Sequence, residues 1–274
     1  MPIYQVIVLA LVQAITEFLP ISSSAHLKLL PWMLGWQDPG LTFDIALHVG
    51  TLIAILLFFF RDWLQLIAHG FGVSYGSDPQ LKQNRMLLWY LAAASIPLGI
   101  VGFIFKDQAE EWNNPFLIAG MMIGVAVLMW LADRAPAATK TIAGITLPDS
   151  AVIGAAQALA VVPGTSRSGV TIAAALFRDI DRPAAARFSF LLSTPAIAGA
   201  AASAVHHLSK QGGVPADMNT AFALGIAISA VVGCAVIAFL LKYLQRHTLR
   251  AFIYYRLIFG IIVIALAFFR RPPG

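Results

Sequence analysis

Charge is scarce in this chain of 274 residues: Asp, Glu, Lys and Arg together make up 11% of it. A soluble domain carries roughly a quarter. Hydrophobic residues make up 59% and the mean hydropathy is +0.80. That composition excludes an ordinary soluble domain, which needs far more polar residues to face water. Cysteine is almost absent. Cys234 stands alone in an apolar run, so the chain forms no internal disulfide and carries no redox signal. No Lys or Arg precedes Lys28. The charged region of a cleaved signal peptide is therefore missing, and the first segment is expected to be kept as structure. There is no Walker loop, GxSxG elbow, CxxC or HExxH pattern. ATP-driven transport and conventional serine-hydrolase or metalloprotease chemistry have no support.

What the chain does contain is repeated runs of roughly 20 apolar residues, the mark of an all-α polytopic membrane protein. One helical bundle spanning 1–274 is the natural reading. Six segments are long enough to span: about 41–60, 86–105, 116–132, 186–206, 219–241 and 250–269. Two more are apolar but interrupted. The first, 3–35, breaks at Leu19-Pro20-Ile21-Ser22-Ser23-Ser24. The second, 150–180, breaks at Pro163-Gly164-Thr165-Ser166-Arg167-Ser168-Gly169. Each half is too short to cross roughly 30 Å of hydrocarbon at about 1.5 Å per residue. Both read as re-entrant helical hairpins, since irregular backbone survives at depth only inside protein or beside a wet cavity.

The two interrupted segments resemble each other. "QAITEFLPISSSA" (13–25) lies on "QALAVVPGTSRSG" (157–169) at an offset of 144. "TFDIALHVG" (42–50) lies on "RFSFLLSTP" (187–195) at an offset of 145. A constant offset argues for an internal repeat, about 1–132 and 145–274. Three spans separate the hairpins, so the second copy is inverted. Inverted repeats with paired broken helices place a binding site near the midplane.

The net charge of +5 fits membrane topology better than nucleic acid. Arg61, Lys82, Arg85, Arg134, Lys140, Arg178, Arg182, Arg187, Lys242, Arg246 and Arg250 fall on one side. Lys28, Lys106, Lys210, Arg270 and Arg271 fall on the other, with the net acidic loop 106–111. The richer side is expected to be cytoplasmic and both termini to face outward.

Arg167 is the strongest chemical signal. An arginine in a helix break at membrane depth needs an anionic partner, from the protein or from a ligand. Its planar fork suits a phosphate. Ser166, Ser168 and Thr171 add hydroxyls, and the half-helix beginning near Ser168 offers unpaired N–H groups. An internal pair with Glu17 is the structural alternative, compatible with the first. Glu17 is the only acid of the first hairpin's helix, with Gln13 on the same face. It is a candidate to hold a divalent cation, to act as a base or to fix an arginine. Of Ser22, Ser23 and Ser24, one is expected to cap a helix. The others are candidate phosphate donors or a nucleophile. His26, three residues beyond Ser23, pairs with it on one helical face and suits base, acid or nucleophile. His48 either reaches the site or packs. Asp44 is placed to cap a span, and His69, His206, His207 and His247 are expected to be solvated. Arg256, beside Tyr255 in the last span, needs a partner that the sequence does not name.

"QAITEFLPISSSAH" resembles the (E/Q)xxxE segment, serine cluster and histidine of the undecaprenyl-diphosphate phosphatase family, the bacitracin-resistance proteins. "PGTSRSGVT" is similar to that family's PGxSRSxxT motif at every fixed position. "FDIALHVGT" and "FSFLLSTPAIAGA" also look like family segments, and the likeness runs end to end. The resemblance implies a phosphatase of the bacterial inner membrane that converts undecaprenyl diphosphate to the monophosphate carrier for peptidoglycan synthesis. It assigns Glu17 to the motif's second acid, Ser23 and His26 to the catalytic cluster, and Ser166, Arg167, Ser168 and Thr171 to phosphate binding. It also implies Mg2+ or Ca2+ and a site opening to the outer face. Gln13 departs from the family's frequent glutamate, and His48 stands where glutamine is common. The rival from another class is a transporter that flips polyprenyl phosphate lipids. The expected partners are a polyprenyl diphosphate lipid, the bilayer and a second copy in a homodimer, with no nucleic acid.

Overall fold

The computed structural model describes residues 1–105, 108, 111–134, 138–210, 213 and 218–269, leaving out the side chains of Leu41 and of 203, 204 and 206–208. Lys106, most of the acidic 106–111 loop, Arg270, Arg271 and the His206 and His207 side chains therefore lie outside the described residues.

The described residues form helices joined by loops, with one isolated parallel bridge between Lys140 and Ile180. The helices are α1 (Ile3–Phe18), α2 (Ser23–Leu34), α3 (Leu41–Phe58), α4 (Phe60–Gly70), α5 (Pro79–Gln83) and α6 (Leu87–Ile104). They continue with α7 (Pro115–Asp133), α8 (Leu147–Ala158), α9 (Arg167–Phe177), α10 (Arg182–Lys210), α11 (Asn219–Leu244) and α12 (Arg250–Phe269).

Four helices, α6, α7, α11 and α12, are long and apolar enough to cross a membrane. The protein is a multi-pass membrane protein. The span expected at 41–60 is not straight. α3 ends at Phe58, and α4 leaves it at 70° across Phe59, the two making a fifth span if taken together. Arg61 and Asp62 follow the bend; Arg61 is exposed, and Asp62 pairs with Arg187. The segment expected at 186–206 forms the single helix α10, but its Ala, Ser and Pro195 leave it less apolar than the other spans.

Local chemistry explains the helix ends. α1 stops before Pro20, which has no N–H and disfavours helix in the residue before it. α2 stops at Gly35, whose φ of 69° is the left-handed conformation that closes many helices. α8 opens with a capping box: Thr146 Oγ1 accepts from Asp149 N–H, and Asp149 accepts from Thr146 N–H. α9 opens at Arg167 with Ser166 as its cap.

The hairpin helices pack crosswise: α1 lies on α11 and α8 on α6, while α7 packs along α12. Gly154 permits the α8–α6 crossing, because a Cβ there would sit 2.5 Å from Ala94 O. The largest apolar cluster lies between these layers, around Phe18, Met129, Phe188 and Phe190.

Ion clusters tie the segments together at one end. Arg187 bonds Asp62 and Asp78, Arg182 bonds Asp133, and Asp149 accepts from both Lys140 and Arg178. His69, expected in water, is buried here with Nδ1 3.2 Å from Leu81 O. Asp44 makes no side-chain cap on α3; it lies 3.8 Å from Lys28.

Asp78 caps α5 by accepting from the N–H groups of Gln80 and Leu81. Burial pushes its carboxyl up, but the Leu81 N–H, Arg187 and the Gln80 N–H outweigh this and hold it below the usual carboxylate range. Asp78→Ala is expected to lower stability at pH 7 by about 1 kcal/mol. A lowered carboxyl stabilises above its unfolded pKa, so the wild-type advantage should fade as pH drops through the Asp78 value. Thermal unfolding of both proteins from pH 7 to pH 3 measures this. Equal melting temperatures at pH 7 would refute it.

Candidate active site

The two breaks face each other. Pro20 and Ile21 end one half-helix and Ser22 opens the next. Pro163 to Thr165 and Ser166 do the same in the second hairpin. Ser22 and Ser166 occupy aligned positions and share an unusual backbone, φ 79° and ψ 97° against φ 68° and ψ 103°. Gly164, at φ +89°, lies where a Cβ would stand 2.4 Å from Ile118 O, so only glycine fits the second break.

Glu17 is the hub. Its Oε1 accepts from Arg167 Nη2 at 2.6 Å. Its Oε2 accepts from Ser23 Oγ at 2.5 Å and from Gln13 Nε2 at 3.2 Å. His48 Nε2 lies 3.8 Å from the same oxygen. Arg167 also donates to Ser193 O through Nη1 at 3.0 Å. An acid, a hydroxyl and a guanidinium from both hairpins thus meet at one point. Glu17 and Gln13 are buried, whereas Ser23, Arg167 and His48 are partly exposed and Ser24 is exposed.

Among the remaining hydroxyls, Ser168 and Ser24 join the two breaks, and Ser166, Thr171 and Ser22 hold their own surroundings. Ser166 Oγ accepts from Gly169 N–H at 3.2 Å, capping α9, and lies 3.4 Å from Ser168 Oγ. Ser168 donates to Leu19 O at 3.3 Å. Thr171 Oγ1 donates to Arg167 O at 2.8 Å and lies 2.6 Å from Ser189 Oγ. Ser24 Oγ accepts from Gly164 N–H and pairs with Ser22 Oγ. Ser22 places no side-chain cap on α2, so the first N–H groups of that helix lack a cap from it.

His26 does not join Ser23. Its Nδ1 lies 2.7 Å from Ser22 O, which only accepts, so Nδ1 carries the proton. Nε2 then accepts from the Tyr255 hydroxyl at 2.6 Å, and the ring stacks on Tyr255 and Phe259. Residues 23 and 26 lie near one face of α2, as the spacing predicts, but Ser23 turns to Glu17 and His26 to α12.

Sequence reasoning missed what Arg256 does. It is fully buried and donates to five carbonyls: Met121, Met122, Pro20, Gly164 and Thr165. Three of the five belong to the two breaks. Tyr255 beside it holds His26. Its burial in an apolar run is the signal that it needed partners, but backbone carbonyls leave no trace in a sequence.

Residues 6–262 match the family described as bacitracin resistance protein BacA. The chain belongs to this family. Among its relatives, the undecaprenyl-diphosphatase of Pelotomaculum thermopropionicum is 44% identical and covers 99% of both chains. Those of Moorella thermoacetica and Desulforudis audaxviator are also 44% identical, covering 99% and 97% of this chain and 100% and 98% of theirs. The BacA match runs through both breaks and into α12, so Glu17, Ser23, Arg167 and Arg256 all lie within it.

Replacing Arg256 with methionine keeps much of its volume but strands the break carbonyls of Pro20, Gly164 and Thr165. Each bond from a charged donor contributes about 1.5–3 kcal/mol, and an unsatisfied group costs about 1–3. The variant is expected to lose on the order of 3 kcal/mol or more, read as a fall in melting temperature in detergent. An unchanged melting temperature would show that water fills the role.

Proposed function

We propose that this chain hydrolyses undecaprenyl diphosphate to undecaprenyl phosphate and inorganic phosphate, returning the lipid carrier to peptidoglycan synthesis and accounting for a bacitracin-resistance phenotype. The observation that carries the reading is the convergence of Ser23 Oγ and Arg167 on the two oxygens of Glu17, at 2.5 and 2.6 Å. The chain's likeness to relatives named undecaprenyl-diphosphatase runs over its whole length. The lipid-transport alternative has no comparable support, because those names describe hydrolysis.

In this reading the diphosphate head reaches the partly exposed Ser23 and Arg167 and the isoprenoid tail stays in the bilayer. Ser23 Oγ attacks the terminal phosphorus and its proton passes to Glu17 Oε2. The bond from that phosphorus to the bridging oxygen breaks, and undecaprenyl phosphate leaves. Water then attacks the phosphoserine, giving inorganic phosphate, and the proton on Glu17 returns to Ser23. Arg167 and the uncapped N–H groups of α2 take the charge on the oxyanions, which is most of what phosphoryl transfer demands. His26, held on both nitrogens, positions Ser22 and the start of α2.

A divalent cation, Mg2+ or Ca2+, is the expected cofactor. No group of three His, Cys, Asp or Glu side chains suited to a metal occurs among the described residues. The donors on hand are Glu17, His48 and Gln13, whose Oε1 is buried without a partner. Such a set fits a cation that completes its coordination on substrate phosphate. Bound there, a cation would neutralise charge on the diphosphate.

The finer topology is part of the same proposal: six spans and two re-entrant hairpins in inverted repeats of about 1–132 and 145–274. The exchanged packing, α1 on α11 and α8 on α6, and the matching backbone of Ser22 and Ser166 support it. The basic end would face the cytoplasm of the bacterial inner membrane, with the site and termini outward. A homodimer is read from the mass of the purified protein in detergent. No nucleic acid takes part.

Phosphate release from a polyprenyl diphosphate tests the reading, with Mg2+, Ca2+ or chelator present. Ser23→Ala and Arg167→Ala are each expected to lose about 10²-fold or more, and His26→Ala about tenfold. Full activity in Ser23→Ala would remove it as nucleophile. No release by folded wild type under any condition would sink the enzyme reading.

A further inference from the structure

Where α4 leaves α3 at 70°, a groove of about 560 Å³ runs between α3, α4, α6 and α10. Leu56, Phe60, Leu64 and Ile67 line it and are exposed. The last three recur at helical spacing on α4, whose Gln65, Leu66 and His69 are buried on the opposite side. The wall of the groove is apolar, so it suits hydrocarbon and would penalise a headgroup.

Size and depth narrow the occupant. At roughly 30 Å³ for a methylene-sized group, the share of one water in the liquid, the groove holds about 19 such groups, the length of one acyl chain. An undecaprenyl tail of eleven isoprene units needs about 1,650 Å³ by the same measure, three times the space. The groove reaches Thr194 and Pro195, twelve and thirteen residues beyond Arg182 at the start of α10. That is roughly 18 Å along the helix, close to half of the roughly 30 Å of a bilayer's hydrocarbon. A groove of this depth spans one leaflet.

Charge gives the headgroup. Arg61 follows the lining residue Phe60, Arg85 lies three residues before the lining residue Leu88, and Lys82 is on α5 between them in the chain. All three are exposed. Lys140, Arg178, Arg182 and Arg187 at the same end are paired with aspartates, whereas Arg61, Lys82 and Arg85 pair with no described carboxylate. Unpaired basic side chains at a membrane surface attract anionic lipids, and an apolar helix face flanked by arginine suits the interface.

We propose that the groove between α4, α6 and α10 binds one acyl chain of an anionic phospholipid from the leaflet at the basic end, with the headgroup on Arg61, Lys82 and Arg85. The inference stands apart from the phosphatase reading, because the lipid binds without substrate. The groove ends one residue from Ser193, whose carbonyl holds Arg167, so the competing occupant is the substrate's own tail.

The test uses the full chain, stripped of lipid in detergent and supplied with phosphatidylglycerol or phosphatidylcholine of the same acyl chains. Native mass spectrometry counts the lipid retained at each concentration. Wild type is expected to hold one phosphatidylglycerol at least about tenfold more tightly than phosphatidylcholine. Ala92→Phe, which fills the groove from α6, should weaken both lipids by about tenfold. The triple variant Arg61→Gln, Lys82→Gln, Arg85→Gln should bind the two lipids alike, separating headgroup from chain. Melting temperatures in lipid-free detergent check that both variants are folded. Equal affinity for the two lipids in wild type, no retained lipid, unchanged retention in Ala92→Phe, or a preference that survives the triple variant would each overturn the proposal. So would undecaprenyl phosphate that expels the phospholipid from wild type and is itself no longer bound by Ala92→Phe. These outcomes hold whatever the phosphate-release assay gives.

Discussion

Broken helices at membrane depth leave backbone carbonyls with no partner, and Arg256 is the group that satisfies them. One guanidinium from the last helix reaches Pro20 in the first break, Gly164 and Thr165 in the second, and two carbonyls of α7. Without water to hydrogen-bond them, the three break carbonyls would each cost free energy, whereas those of α7 already accept within their helix. No carboxylate neutralises this arginine in the described contacts. Its charge is spread over five dipoles instead. The two hairpins come from sequence segments 144 residues apart, and this side chain joins their breaks alongside the Glu17–Arg167 pair and the Ser168–Leu19 and Gly164–Ser24 bonds. The geometry of the active site inherits that constraint.

Above the clamp, the hairpins divide the chemistry between them. The first gives acid, hydroxyl and histidine. The second gives the arginine and a glycine that lets its backbone approach α7. The Glu17–Arg167 pair crosses the divide, and a buried charge pair of this kind tolerates partial burial only because each member is also hydrogen-bonded elsewhere. Ser23 and Gln13 complete Glu17, and Ser193 O completes Arg167. The hydroxyls of Ser166, Ser168 and Thr171 hold the second break in the shape that aims Arg167 at this point. Their density in the sequence thus reflects the cost of unwinding a helix in an apolar layer as much as any contact with phosphate.

The breaks themselves were legible, because proline and glycine act locally: Pro20 ends α1, and Gly164 permits a turn closed to other residues. The need of Arg167 for an anion was legible too, since charge at depth always demands a partner, and Glu17 was among those named. Side-chain direction was not. Ser23 and His26 share a helical face by spacing, but a few tens of degrees of rotation send one to Glu17 and the other to Tyr255, 229 residues away. The bend at Phe59 and the burial of His69 escaped for the same reason, as both depend on Arg187, Asp78 and Leu81 arriving from distant segments.

By itself the sequence determined a helical membrane protein with two polar interruptions and the residue types that phosphate chemistry uses, because hydropathy, proline and buried charge are properties of local composition. The tertiary structure decided which hydroxyl meets the acid, which histidine turns away, and that Arg256 holds both breaks. Those outcomes rest on backbone carbonyls and long-range packing, which every sequence carries and no residue letter records.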